Sequence, residues 1–306
     1  MAMQKTIRKR RSNFERTGYA QSVGERTIKA IVFPILLLWS FTLVYPFIWA
    51  IINSFKTVPE FYDNSFALPE TWLWSNWSDA FTVLKVKKSG WGEYATLMEM
   101  TINSVWYTFG GTTIFLTSVS MLSYTIARYQ NAYTRFLYRL TLVVLMLPIM
   151  GSLPASYKLV HDLHLDNTPL YLIKSIGGLG TADLLILYSF FIGIPWSYAE
   201  AAFMDGAGHW TVFFRIMLPQ SVPILTAMFI TAAINSWNDF MTPLLYLGQY
   251  PTLATGLYII EHSSLTSSNK PVYFAAMLMS IAPVIAVFVA FNDTIMTSVS
   301  IGGLKG

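Results

Sequence analysis

Long runs of apolar residues constrain this chain more than any other feature of its sequence. Six stretches of about 20 residues are mostly apolar, and a helix needs a run of about that length to cross a bilayer. Only 12% of the 306 residues are charged, about half the fraction found in an average soluble domain. The chain is therefore predicted to be an all-α polytopic membrane protein. The predicted spans are residues 30–52, 101–126, 137–156, 170–193, 221–246 and 273–297.

A dense positive charge stands directly before the first apolar run. That run is about 22 residues long and no small-residue cleavage site follows it, so the pattern favours an uncleaved span over a secretory signal. A nucleic-acid interpretation of the sequence RKRR at 8–11 is the weaker alternative. The basic residues of this segment are Lys5, Arg8, Lys9, Arg10, Arg11, Arg16, Arg26 and Lys29.

The distribution of Lys and Arg predicts the orientation in the membrane. With both termini in the cytoplasm, 13 of the 20 basic residues fall on the cytoplasmic side, although the external loops are longer. The chain is therefore expected in the cytoplasmic membrane with its N- and C-termini inside. The predicted parts are a basic cytoplasmic segment 1–29, a transmembrane domain 30–297 with external loops 53–99 and 248–272 and a cytoplasmic loop 194–220, and a cytoplasmic tail 298–306.

Residues 197–220 are too polar and too broken to form a span. Ser197 and Glu200 have the spacing of a capping box, and Gly206 can end a helix. A second short helix is expected over 209–217 before the Leu-Pro pair that precedes the fifth span. From these residues alone, the helix–turn–helix segment, called the foot from here on, is either an interfacial amphipathic hairpin or a docking element for a cytoplasmic partner.

The foot resembles the EAA signature of ABC-importer permeases. The sequence has Glu-Ala-Ala, three residues, Gly, nine residues, Ile, one residue and Leu-Pro, as in that family. The sequences YPFIWAIINSFKT at 45–57 and NSWNDFMTPLLYL at 235–247 also resemble it, and most of the chain looks similar to carbohydrate-uptake permeases of the maltose-transporter kind. The resemblance implies a type I ABC importer fold, in which the foot sits in a cleft of the ATP-binding subunit. The coupling residues that it assigns are Glu200, Ala201, Ala202, Asp205, Gly206, Ala207, Ile216, Leu218 and Pro219.

This resemblance also implies a function and a set of partners. The chain would be a permease subunit of a bacterial importer for an oligosaccharide or a related compound. Its partners would be a second homologous permease, two ATP-binding subunits and an extracytoplasmic solute-binding protein, and the tail residues Gly302, Gly303 and Lys305 would contact an ATP-binding subunit. The alternatives are an ABC permease for a non-sugar solute and a secondary transporter, which the lack of a visible internal repeat disfavours.

No motif in the chain indicates catalysis or a cofactor of its own. The G-x-x-x-x-G-K-[ST] phosphate loop is absent from the sequence, so ATP and Mg²⁺ are expected on separate ATP-binding subunits and the chain is not expected to be an enzyme. His161 and His164 have a spacing that metal ligands can have, but a solvated loop is the preferred interpretation and no metal site is expected. Nothing indicates nucleic-acid binding; membrane lipid is the expected surrounding.

Polar residues of the fifth predicted span are the candidates for the solute path. An intramembrane carboxylate is costly, so Asp239 is interpreted either as a path residue or as a tie between helices. Asn and Trp side chains can hydrogen-bond and stack on sugars, which adds Asn235, Trp237 and Asn238 to the predicted path. The tryptophans of the first external loop, at 72, 74, 77 and 91, are interpreted as an interfacial aromatic belt, with stacking on a sugar as the alternative.

Overall fold

The computed structural model of the protein describes residues 23–82, 85–90, 92–147, 151–262 and 269–301, with the backbone alone at 23–28, 287–288 and 291–301. The chain divides into two compact units, residues 1–52 and 53–306. Most of the basic N-terminal segment, Trp91 and the predicted tail contacts Gly302, Gly303 and Lys305 lie outside the described residues.

Helical stretches occupy all six predicted spans, and the numbering of the spans is kept for them. The second span is continuous from Leu97 to Arg128 and includes a π-helix, and the fifth is broken at Asp239. The stretches are Val23–Ser54; Leu97–Val105, Trp106–Gly110 and Gly111–Arg128; Ala132–Met146; Ala182–Gly193; Val222–Asn238 and Met241–Tyr246; and Lys270–Ile301. The shorter helices outside the foot are Val58–Asp63, Ser75–Thr82, Leu153–Asp162, the 3-10 helix Pro169–Ser175, and Leu253–Glu261.

Length and apolar composition single out one uninterrupted membrane helix among the described residues, Lys29–Ser54. Two bent pairs of helices meet the same test when each pair is taken as one span. One pair joins the fourth span to the first helix of the foot at 68°, and the other joins the second half of the foot to the fifth span at 74°. Both bends therefore lie where the foot leaves the apolar helices.

The fourth span is shorter than the predicted 170–193. Its α-helix begins at Ala182, where the side chain of Thr181 caps the first turn, and residues 169–175 form a separate 3-10 helix. Between them, Gly178 and Gly180 adopt positive φ angles of 125° and 78°, and a Cβ at either would overlap a valine of a neighbouring span. The start of the predicted span is wrong because these glycines form a close-packed turn in place of helix.

A small β-hairpin interrupts the predicted all-α architecture within the external segment 53–99. Lys85–Lys87 pairs antiparallel with Tyr94–Thr96, and the central residue of each strand is buried. Lys88 Nζ lies 2.5 Å from Glu99 Oε1, so the hairpin is tied to the start of the second span. This hydrogen bond raises the pKa of Lys88.

The segment 248–272 is built around a packed helix. Within Leu253–Glu261, the backbone N–H of Leu253 donates to Ser104 Oγ at 2.8 Å, and a Cβ at Gly256 would overlap the sulfur of Met100. Asn103 Nδ2 also donates to the carbonyl of Pro251 at 3.1 Å. Residues 251–256 of this segment are therefore held against the second span.

Buried side chains form three clusters that follow one another along the second span. Met100 belongs to the cluster around the hairpin and the helix Leu253–Glu261, Tyr107 to a cluster rich in tyrosine, and Val119 to the cluster beneath the foot. The second span thus contacts each of the regions discussed below.

Candidate functional site

A glycine turn joins the two helical halves of the foot. The first half is Ser197–Met204, and the second runs from His209 to Gln220 as the α-helix His209–Val212, the π-helix Phe213–Met217 and the short helix Leu218–Gln220. Gly206 has φ +82°, its N–H donates to the carbonyl of Phe203, and the N–H of Ala207 donates to that of Ala202. These two bonds define a Schellman motif, in which the residue with positive φ is usually glycine. The expected helix end at Gly206 is therefore present.

The residues of the EAA pattern divide between two faces of the foot. Ala199 and Ala202 are three residues apart on one helix face, are buried and pack in the cluster that contains Phe191 and Met217. Small side chains at these positions let the foot lie close to the rest of the chain. The residues of the pattern that are at least half-buried are Ala202, Ala207, Ile216 and Leu218, and those that are exposed are Glu200, Ala201, Asp205, Gly206 and Pro219.

Glu200 does not cap its own helix. The first helix of the foot follows Trp196 as its N-cap, with no side-chain hydrogen bond to the cap, so the capping box proposed for Ser197 and Glu200 is wrong. The N-cap position falls one residue earlier than the spacing suggested, and the reciprocal bonds cannot form. Among the described residues, no group hydrogen-bonds or pairs with the Glu200 carboxylate, which is exposed. The charge is therefore available to another molecule.

The end of the second span is bonded directly to the foot. The guanidinium of Arg128 donates to the carbonyl of Ile194 and lies 5.4 Å from the ring centroid of Trp196. The hydroxyl of Tyr129 lies 2.7 Å from Nδ1 of His209, on the second half of the foot. The second half of the foot and the turn that leads into its first half are thus bonded to the end of one membrane helix. No sequence motif links Arg128, Tyr129 and His209, because these positions lie far apart in the chain.

Comparison with known proteins decides the family. The profile described as "Binding-protein-dependent transport system inner membrane component" matches residues 117–300, more than half of the chain. The chain belongs to this family. Its matched region includes the foot and both spans that enter and leave it.

The permease is similar to curated proteins along nearly its whole length. It is 28% identical over 289 residues to the diacetylchitobiose uptake system permease protein of Streptomyces coelicolor, covering 94% of this chain and 92% of that protein. It is 27% identical over 272 residues to the arabinooligosaccharides transport system permease protein of Halalkalibacterium halodurans, covering 87% and 93% of the two chains.

The fold of the permease is that of a solved ABC transporter. A chain of a bacterial ABC transporter involved in the import of the acidic polysaccharide alginate superimposes with a TM-score of 0.73 and 20% identity, covering 89% of this chain and 98% of that one. The predicted fold class, a helical membrane permease of the ABC-importer type, is confirmed. The small β-hairpin of the permease was not part of the all-α prediction.

The four predicted path residues do not share one environment. Asn235 and Asn238 are exposed along the fifth span, and their role in the path stays a prediction. Trp237 is buried, and its Nε1 donates to the carbonyl of Ser280 at 3.2 Å, which fastens the fifth span to the sixth. Trp237 also lines a cleft of about 310 Å³ together with Asn238, so its role in the path stays a prediction.

Asp239 ties two helices together, as one of its two proposed interpretations expects, and its role in the path stays a prediction. Its Oδ2 accepts a hydrogen bond from the hydroxyl of Tyr107 at 3.1 Å, and its Oδ1 accepts one from the backbone N–H of Thr242 at 3.0 Å. The first bond joins the fifth span to the second, and the other starts the short helix Met241–Tyr246.

Of the two histidines with the spacing of metal ligands, His161 makes a local contact with a carboxylate. His161 Nδ1 lies 3.3 Å from Asp166 Oδ2, and His164 occupies a turn with φ +52°. Within the described ranges, no three His, Asp or Glu side chains come together as metal ligands.

Proposed function

We propose that the permease forms, with a second homologous permease, the translocation path for an oligosaccharide or a related carbohydrate. The names of its similar relatives, which take up diacetylchitobiose and arabinooligosaccharides, support a carbohydrate solute. The exposed amide of Asn235 supplies hydrogen-bonding groups of the kind that sugars require, and so does the exposed amide of Asn238, although its Nδ2 also donates to the carbonyl of Ile234 at 2.8 Å. A solute-binding protein delivers the sugar on the external side, where the region around 248–272 is the proposed contact.

The outward face of the foot is the observation that carries the proposed coupling to ATP. Met204 is 87% exposed and Trp210 is 69% exposed, on either side of the Gly206 turn and beside the unpaired Glu200. Large apolar side chains grouped on a surface indicate that a partner covers them. In the proposal that partner is an ATP-binding subunit, and the apolar side chains fill its cleft while Glu200 bonds to a polar group at its edge.

We assign ATP hydrolysis to two partner subunits, which would bind ATP and Mg²⁺, and we expect no cofactor in the permease itself. Closure of these subunits moves the two feet of the paired permeases together, and the bonds from Arg128 and Tyr129 pass that movement to the second span. The tail residues Gly302, Gly303 and Lys305 remain a proposed additional contact with an ATP-binding subunit.

Reconstitution tests this function. The purified permease alone should hydrolyse no ATP, whereas the assembly of two permeases and two ATP-binding subunits in liposomes should do so and should import an oligosaccharide when its loaded solute-binding protein is added. Hydrolysis by the permease alone, or import of the sugar without ATP, would reject the proposal. The second result would favour a secondary transporter.

Single cysteines test the proposed orientation, since the chain has no cysteine of its own. Ser78, in the helix Ser75–Thr82, and Thr211, in the foot, are both exposed. An impermeant thiol reagent added to intact cells should label Ser78→Cys and should label Thr211→Cys only after the membrane is opened. Labelling of both from outside would place the foot on the wrong side for coupling.

A further inference from the structure

A cleft of about 290 Å³ with both polar and apolar lining lies beside the π-helix of the second span. Its lining includes the hydroxyl side chains Tyr107, Thr112, Tyr171, Ser175 and Ser236, together with one cation, Lys174. Ordinary ligand pockets begin at about 300 Å³, so the cleft can hold one ring of a longer molecule. Single turns of π-helix are frequently found at functional sites.

The position of the cleft in the fold follows from two glycines. A Cβ at Gly110 would overlap the side chain of Leu172, and one at Gly111 would stand 3.5 Å from Ser175 Oγ. Because both glycines lack a side chain, the 3-10 helix Pro169–Ser175 packs directly against the second span. That contact falls near the midpoint of Leu97–Arg128, and it places Lys174, an exposed residue of the predicted fourth span, beside the second span.

Neutral groups hold the Lys174 ammonium in place. Nζ lies 4.3 Å from the ring centroid of Tyr246 and 5.5 Å from that of Tyr171, and it donates a hydrogen bond to the Tyr171 hydroxyl at 3.3 Å. No described carboxylate lies within ion-pair distance of it. Tyrosine faces attract a cation without cancelling its charge. The nearby Asp239 is already bonded to Tyr107 and Thr242.

Lys174 is exposed at this cleft, and no described carboxylate pairs with it, so its charge is open to an anionic ligand. We propose that this cleft binds one acidic sugar ring, with Lys174 pairing with its carboxylate and the surrounding hydroxyl groups bonding its ring hydroxyls. The inference rests on the proposed carbohydrate transport and narrows it to saccharides that carry a carboxylate, such as uronic acids. The aromatic faces at the cleft suit the apolar side of a sugar ring.

An acidic side chain of the second permease is the competing occupant. It would satisfy the same charge, but it would leave the serine and threonine hydroxyls of the cleft without a reason to line it. A carboxylated sugar uses the cation and the hydroxyls together, so the composition of the cleft favours the solute.

Equilibrium binding tests the inference on the assembled importer. The permease pair with its ATP-binding subunits is placed in nanodiscs, and calorimetry measures the affinity for trigalacturonate and for its neutral counterpart galactotriose without the solute-binding protein. Trigalacturonate should bind roughly tenfold to a hundredfold more tightly, the usual worth of a charge-assisted bond. Lys174→Gln should remove this preference, and the matched control Lys158→Gln, an exposed lysine on the helix Leu153–Asp162, should retain it.

Three outcomes overturn the inference. Equal affinity for the two sugars in the wild type, or an unchanged preference in Lys174→Gln, would reject the acidic-sugar site while leaving carbohydrate transport intact. Failure of Lys174→Gln to assemble with the second permease would reject it in favour of an interface residue. Binding of neither sugar by an intact assembly would count against the inference and the carbohydrate assignment together.

Discussion

The foot and the polar part of the fifth span are both polar interruptions of an apolar chain, and both carry carboxylates. In the fifth span, Asp239 accepts hydrogen bonds from Tyr107 and Thr242, so its charge is used within the chain. In the foot, Glu200 has no such partner among the described residues. The same residue chemistry therefore serves internal structure in one region and is left for another molecule in the other.

This contrast separates stability from assembly. A carboxylate with internal partners should matter to the free energy of unfolding, because its removal leaves buried donors unpaired. An exposed one should leave unfolding unchanged and affect only the complex. Substitutions matched in chemistry can test both halves of this statement.

The largest effect is expected for Asp239→Ala. This substitution removes the acceptors of two hydrogen bonds, one from the buried Tyr107 hydroxyl and one from the backbone N–H of Thr242 at the start of a helix. It should therefore lower the free energy of unfolding by about 2–4 kcal/mol. Asp239→Asn keeps an acceptor oxygen and should cost clearly less. Unfolding in mixed micelles measures both variants, and equal stability of Asp239→Ala and wild type would show that the tie is dispensable.

Glu200→Gln is expected to give the opposite pattern. Unfolding should be unchanged, while association with the ATP-binding subunit should weaken by roughly 1–3 kcal/mol if a charge-assisted bond is lost. The control is Asp162→Asn, which removes an exposed charge away from the foot. Co-purification of the ATP-binding subunit provides the measurement, and unaltered association would mean that the carboxylate faces only solvent.

Gly206→Val should strain the backbone by a smaller free energy and should impair transport. No atom lies within 4 Å of the added Cβ, so the effect comes from the positive φ alone and should be about 1–2 kcal/mol. It should tilt the two halves of the foot and reduce transport at normal abundance. Gly193→Val is the control, because Gly193 also has open space but no positive φ. Equal transport by both variants would contradict the role of the turn.

The smallest effect is expected for Tyr129→Phe. The hydrogen bond to His209 is exposed, so its loss should cost only about 0.5–1.5 kcal/mol. If the bond passes movement from the foot to the second span, ATP hydrolysis should persist while sugar import per ATP falls. Tyr133→Phe, an exposed tyrosine outside the foot, is the control. A parallel fall of both activities would indicate a general loss of stability.

Local sequence signals were sufficient for the turn of the foot. Glycine at 206 marks the positive φ, since few other residues tolerate it, and the spacing of the EAA pattern points to two short helices around that turn. The same kind of signal failed at Ser197 and Glu200. The N-cap of the helix is Trp196, one residue earlier than the spacing predicts, so the expected capping box does not form. The signal also failed at 170–193, where periodicity cannot distinguish a helix from a close-packed glycine turn.

The sequence by itself determined the membrane as solvent, the approximate places of the spans and the turn of the foot, because apolar run length and glycine backbone freedom act over a few residues. Only the tertiary structure decided which polar groups are used internally. It paired Asp239 with Tyr107, 132 positions away. It also bonded Tyr129, at the end of the second span, to His209 in the foot. It also placed Lys174, a residue of the predicted fourth span, at a cleft beside the second span. Such contacts depend on how distant segments pack, and no local pattern records that.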